Sequence, residues 1–334
     1  MSNRVDTYPG LVKPLLRVRL GRPLDGSPAS MGKSRHRGVT LVEVIVVIAI
    51  IGLALLFLLM LVPRGREQAR MVSCTNNLRQ IGVALATYEQ LHQQVPVVAA
   101  LAGTEGLGGA KSPGPLRTLL ETLQLPDLME LKDPKSPPQA RPGEVPDERA
   151  VPGFICSSDP NATAGWFTAP ISYRATTGDT PAGDNGLFAI GRVLRLPDVE
   201  AADGSSYTAA FSERLVGDHQ PHVPAPCNYQ VIPGPLAGEG CPATGDMSVW
   251  RGDAGSSWRW SDYRHTLYNH SLPLSSRQSC LAIDGQTAFM GASSGHVRGI
   301  NLLLLDGSVN VVTREIDPKV WKDFAAISQR RSAN

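Results

Sequence analysis

The segment Gly38–Pro63, GVTLVEVIVVIAIIGLALLFLLMLVP, constrains this chain more than any other stretch. From Val44 to Val62, nineteen consecutive residues carry no charged or strongly polar side chain. An α-helix needs ~20 such residues to cross the hydrocarbon core of a bilayer. A secretory signal peptide has a shorter apolar region and a small-residue cleavage site behind it. This run ends instead at Pro63-Arg64-Gly65-Arg66, so a retained membrane helix is expected. Lys33, Arg35, His36 and Arg37 precede it and favour a cytoplasmic N-terminal side, although Arg64, Arg66 and Arg70 follow it and weaken the asymmetry. One acid, Glu43, stands just inside the start of the run. A carboxylate at a membrane boundary is costly unless it is paired, so its presence needs a reason.

Beyond Pro63, apolar or small residues recur at Met71, Cys74, Leu78, Ile81, Leu85 and Tyr88, in steps of three and four. That spacing lines one face of an amphipathic helix. Arg70, Asn77, Arg79, Gln80 and Glu89 fall on the polar face. Pro63 and Gly65 are expected to kink the helix near the membrane surface. Residues 40–92 together would make a helix of ~80 Å at 1.5 Å per residue.

Further on, 33 Gly and 27 Pro point to many turns and long loops. A short helix is expected at Leu116–Leu123 and a surface loop at Lys132–Pro146. From Val151 onward, strand-like runs alternate with turns: Gly153–Cys156, Ile171–Ala175, Gly186–Leu194, Thr208–Glu213, Asn228–Ile232, Gly299–Leu305 and Val309–Glu315. Asp306-Gly307 separates the last two, and Asp-Gly between strands is a strong hairpin signal, because a tight primed turn needs positive φ. No run resembles a phosphate-binding Rossmann or P-loop turn. A net charge of +2 without a basic stripe gives no reason to expect nucleic acid as a partner.

The order of basic residues, Gly38, Val-Thr-Leu-Val-Glu and an apolar helix closely resembles the class III signal of type IV prepilins and type II secretion pseudopilins. The resemblance implies that a prepilin peptidase cuts between Gly38 and Val39 and that Val39, in place of the usual Phe, becomes the N-methylated first residue. It implies that Glu43 neutralises the amine of a neighbouring pilin-like subunit during assembly, an attraction that is strong where the dielectric is low. The alternative for Glu43 is a lone acid at headgroup level. Met31 begins MGKSRHRG, a short basic leader of the prepilin kind, so translation is expected to start there, or residues 1–30 to be a disordered extension.

The stretch QARMVSCTNNLRQIGVALATY resembles the helix of a large bacterial family of prepilin-like proteins of unknown function. Its members end in His, nine residues and Asp-Gly, matched here by His296, VRGINLLLL and Asp306-Gly307. FICSSDP and ADGSSYTAAFSE resemble two further segments of that family. The implied fold class is α+β: a pilin-like long N-terminal helix, half transmembrane and half amphipathic, packed on an antiparallel β-sheet head with long loops. The expected organisation is a leader at 1–38, a transmembrane helix at 39–63, an amphipathic stalk at 64–94, a head at 95–328 and a tail at 329–334. Cys74 and Cys156 match family cysteines, and a disulfide between them is expected. Cys227 and Cys241 enclose a loop and form the second expected pair, worth ~3 kcal/mol by chain entropy.

The reading is a non-enzymatic, prepilin-like structural protein in the inner membrane, single-pass, with its head in the periplasm or outside the cell. Its partners would be the prepilin peptidase, other pilin-like subunits and the membrane. No cofactor or metal is expected. Some pseudopilins hold calcium in a loop, but Asp159, Asp179, Asp184, Asp203 and Asp284 show no ligand spacing, and calcium is not predicted. His296 and Asp306-Gly307 are read as a strand-start hydrogen bond and a hairpin. Two alternatives belong to other classes: a bitopic binding protein that never polymerises, and an anchored hydrolase using His296 and Asp306.

Overall fold

The computed structural model describes residues 38–99, 112–125, 149–243, 245–276 and 278–327, and within these not the side chains of 58–64. The leader up to residue 37 with Met31, the 132–146 loop and the 329–334 tail lie outside the described residues. The chain divides into two compact units, 1–56 and 57–334.

In the first unit, helix α1 (Leu41–His92) begins behind Thr40. The Thr40 Oγ1 accepts from the Glu43 backbone N–H at 3.3 Å, and the Glu43 carboxylate accepts from the Thr40 N–H at 2.9 Å and from its hydroxyl at 3.1 Å. This is a capping box, which satisfies two of the amide groups that a helix N-terminus leaves unpaired. The large apolar side chains from Val39 to Phe57 are exposed on every side of the helix. Among the described residues no helix is long and apolar enough to cross a membrane, and the end of the expected span falls on 58–64.

In the second unit α1 runs unbroken through Pro63 and Gly65, so neither residue ends it. Its Cys74, Leu78, Ile81, Ala84 and Leu85 are buried in the main core, with Met71 and Tyr88 half-buried beside them. The expected apolar stripe is therefore the packed one. Asn77, expected on the polar face, instead sits at its border and donates to the Ile155 carbonyl and the Tyr173 hydroxyl, both at 3.3 Å.

The head is α+β, but its strands form two mixed sheets and not one antiparallel sheet. β1 (Tyr173–Thr176), β2 (Ala209–Glu213), β5 (Leu267–Tyr268), β8 (Ile300–Leu304) and β9 (Val309–Val312) build the first, in the order β5-β1-β2-β8-β9. β3 (Tyr229–Ile232), β4 (Trp250–Arg251), β6 (Cys280–Ala282) and β7 (Ala288–Phe289) build the second, in the order β4-β3-β6-β7. Each sheet holds one parallel pair, β1 with β5 and β3 with β6. The expected strands at 153–156 and 186–194 are absent: a 3-10 turn occupies Pro152–Phe154, and the second stretch is a chain of turns. Short helices α2 (Pro115–Thr118), α3 (Leu196–Ala202) and α4 (Pro318–Asp323) complete the head.

β8 explains the run INLLLL. Leu303 packs in the main core with the stripe of α1, whereas Ile300, Leu302 and Leu304 pack with Trp321 of α4 in a second cluster. A strand covered on both faces reads as continuous apolar sequence. β8 and β9 form the expected hairpin, but its turn is not the two-residue primed kind. Gly307 N–H donates to the Leu304 carbonyl and Leu304 N–H to the Ser308 carbonyl, with Gly307 alone at positive φ, +84°. This is a type I turn closed by a glycine bulge.

Behind this sheet, His270 is fully buried, stacked on Trp321 at 3.5 Å between ring centroids. Its Nδ1 lies 2.6 Å from the Trp321 carbonyl and its Nε2 2.9 Å from the Tyr268 hydroxyl. Nδ1 must donate, so Nε2 accepts, and the neutral ring satisfies both partners. Burial pushes its pKa down to about 3, against which the bond to the Trp321 carbonyl works. The unfolded chain therefore binds this proton more readily, and the stability due to a neutral His270, present above ~pH 6.5, is lost as pH falls towards 3. Relative to a His270→Phe variant, the wild-type chain is expected to lose about 2 kcal/mol between pH 7 and pH 5. Urea titrations of the detergent-solubilised chain, followed by tryptophan fluorescence, measure this difference.

Candidate functional site

Cys74 on α1, Cys156 in the loop before β1, Glu213 at the end of β2 and His296 in the loop before β8 converge beneath the helix. Their ligand atoms lie within 4.8 Å of one another, and all four residues are buried. Among the described residues this is the one such group of His, Cys and acidic side chains. His296 is its hub. Its Nδ1 is 2.6 Å from Glu67 Oε1 on α1, and its Nε2 is 3.4 Å from Glu213 Oε1 and 3.3 Å from Cys156 Sγ.

The surroundings fix both acids. The Ser158 hydroxyl donates to both oxygens of Glu67, at 3.2 and 3.1 Å. Asn301 donates to Glu213 twice, from its side chain at 2.9 Å and its backbone at 3.0 Å, and accepts from the Thr75 hydroxyl of α1 at 3.2 Å. Gly295 makes the meeting of the two loops feasible: a Cβ there would lie 1.8 Å from the Ser158 carbonyl oxygen.

The electrostatics follow from this packing. Burial works against a charge on His296, but hydrogen bonds to Cys74, Glu213 and Glu67, with the Glu213 charge, hold its pKa up at about 11. Burial would likewise raise Glu213, yet the hydrogen bond and charge of His296 and the bonds from Asn301 keep it below the usual carboxylate range. The hydrogen bond from Cys156 pulls Cys74 down to about 4 against its burial, and the same bond and burial push Cys156 up. A buried group of strongly shifted residues with charge partners is a functional-site candidate.

The cysteines are not paired as expected. The disulfide joins Cys241 to Cys280, with 5.8 Å between Cα atoms, because β6 carries Cys280 alongside the 233–249 loop. Cys227 is a buried free thiol, raised by that burial. Cys74 and Cys156 do meet, as free thiols and not as a disulfide. His296 is no mere strand-start hydrogen bond: it ties the head to α1. Asp306 does not join it. The carboxylate of Asp306 accepts from Ser308 N–H at 2.8 Å within the turn, at the other end of β8. Five strand residues at ~3.3 Å each separate the two, so they share no hydrolytic site.

Just before His296, Gly291–Gly295 spell G-x-S-x-G, the pattern of a hydrolase nucleophile elbow. The context differs from an elbow. Ser293 is buried, its hydroxyl accepts from Leu215 N–H at 3.1 Å, and β8 follows it, not a helix. Gly38 and Val39 are exposed ahead of α1, and Glu43 is held in the capping box. Sequence reading passed over Glu67, Glu213 and Cys280. Glu67 had a signal, as the one acid between Glu43 and Glu89, seven residues and two helical turns from Cys74.

The buried His296–Glu213 pair sets an energetic expectation. Replacing His296 by alanine leaves Glu213 buried without its cation, and is expected to destabilise the chain by about 3–5 kcal/mol. Gly307→Ala, which forces an L-residue into positive φ, is expected to cost only about 1–2 kcal/mol. Denaturant titration of both variants checks the order.

Residues 63–319 match the family described as protein of unknown function (DUF1559), and residues 33–59 match the prokaryotic N-terminal methylation motif. No curated protein and no solved structure matches the chain. The matched family covers most of the chain, which therefore belongs to the DUF1559 family and carries, over residues 33–59, the methylation motif of type IV pilin-like proteins.

Proposed function

We propose that this chain is a prepilin-like structural protein, held in the inner membrane as a single-pass subunit by the N-terminal half of α1. A prepilin peptidase removes the leader after Gly38, Val39 is methylated, and the mature chain assembles with other pilin-like subunits through that helix. The observation that carries this reading is the methylation motif over residues 33–59. Two features support it. A helix with apolar side chains exposed on every side from Val39 to Phe57 needs lipid or neighbouring helices to cover it. The Cys241–Cys280 disulfide suits an oxidising compartment, which supports a head beyond the cytoplasm.

The capping box refines the role of Glu43. Both Thr40 bonds fall on Oε2. A carboxylate accepts at two oxygens, so Glu43 can cap its own helix through one and meet a neighbour's Val39 amine through the other. Glutamine keeps the box but not the charge. Mass spectrometry of the chain from its native membrane is expected to find N-methylated Val39 as the first residue. Glu43→Gln should leave insertion and abundance intact and lower filament incorporation at least about tenfold, the equivalent of ~1.4 kcal/mol. A chain that still carries MGKSRHRG would remove the mechanism.

A further inference from the structure

We propose that Cys74, Cys156, Glu213 and His296 bind a borderline-soft divalent metal ion, zinc before others, which clamps α1 to the head. Zinc bonds thiolate, imidazole and carboxylate at ~2.0–2.3 Å, which sets its tetrahedral ligands roughly 3.3–3.8 Å apart. His296 Nε2 already stands 3.3 Å from Cys156 Sγ and 3.4 Å from Glu213 Oε1, and all four ligand atoms fit within 4.8 Å. The second of these separations is long for an imidazole–carboxylate hydrogen bond but natural for two ligands of one ion. Two sulfurs among four ligands favour zinc over calcium or magnesium, which take oxygen.

The outer contacts are those of a built site. A metal-bound imidazole donates its other N–H to a carboxylate or carbonyl, and His296 Nδ1 meets Glu67 at 2.6 Å. Glu213 is held by Asn301, and Glu67 by Ser158. His296 and Glu213 are thus oriented before a metal arrives. Binding is a plain exchange: the ion takes the place of the protons that the two thiols and His296 Nε2 carry, and no electrons move. In the product the ion is held by two thiolates, one carboxylate and a neutral imidazole.

The compartment adds a second argument, which rests on the extracytoplasmic head proposed above. The chain carries a disulfide between Cys241 and Cys280, yet two other cysteines close to each other stand as thiols. In an oxidising compartment neighbouring thiols pair unless something holds them, and ligation to a metal does so. The ligands come from both sides of one packing interface: Cys74, with its supporting Glu67, from α1, and the other three from the head. A metal there cross-links the helix to the sheet.

The test uses the full chain purified in detergent, with Zn²⁺ and Co²⁺ as probes. One zinc per chain is expected by elemental mass spectrometry, and Co²⁺ should give the thiolate charge-transfer and visible bands of a tetrahedral site. Cys74→Ser and Cys156→Ser should abolish these bands, and Cys227→Ser should keep them. Glu67→Gln, outside the ligand set, should weaken metal affinity ~10–100-fold, and it serves if the cysteine variants fold poorly. Chelation should lower the melting temperature of the wild-type chain and not that of Cys156→Ser. Two results overturn the proposal: a Cys74–Cys156 disulfide in peptides mapped from the native membrane, or a folded, reduced chain that takes up neither ion. Both readouts are independent of whether the leader is cut or the chain assembles.

Discussion

The head depends on one buried charge meeting its partner. Glu213 ends a strand that is buried along its whole length, so its carboxylate has no water to turn to. Such a group costs several kcal/mol unless it is paired and hydrogen-bonded. His296 and Asn301 supply the pairing, and both come from the segment that leads into and begins β8. Through His296 the same pairing reaches Glu67, and through Asn301 it reaches Thr75, both on α1. The helix is therefore set on the sheet by polar contacts at the two turns around Cys74, and by apolar contacts from Leu78 to Leu85 beyond. Apolar packing alone tolerates sliding by a helical turn. The polar contacts select one register.

This division explains what was legible in the sequence. Leu78, Ile81 and Leu85 announce their face by spacing, and the hairpin announces itself through Asp306-Gly307, because these are local rules of helix and turn. The turn departs from the expected primed kind because only Gly307, and not Asp306, takes positive φ. β4, β5 and β7 have two residues each and no periodicity to detect. The two parallel pairings join segments far apart in sequence, and local pattern carries no information on which distant strands meet. The same limit hid the site. Cys74, Cys156 and His296 were each visible, but Glu213 is one acid at the end of an unremarkable run, and only the sheet brings it to the others.

Glu43 shows how one residue can answer two constraints. It completes the capping box with Thr40, a purely local stabilisation of the helix start. That account needs no neighbour, and it explains a carboxylate at this position in any helix. It does not explain why the helix that follows is apolar on every side. The two demands are compatible because cleavage after Gly38 would leave Thr40 and its box intact. The new amine would sit one residue ahead of them, in reach of another subunit's free carboxylate oxygen.

The spacing of His296 and Asp306-Gly307 takes its meaning from the same geometry. At one end the chain must deliver an imidazole between Glu67 and Glu213, past Gly295 where the Ser158 carbonyl leaves no space for a side chain. At the other it must reverse at Gly307 so that β9 can pair with β8. Between them β8 must be long enough to cover the α1 stripe with Leu303 on one face and Trp321 with Leu302 on the other. The nine intervening residues are thus a length of strand and lead-in, fixed by the distance between a polar anchor and a turn. His296 and Asp306 belong together because they flank the same strand, not because they share a reaction.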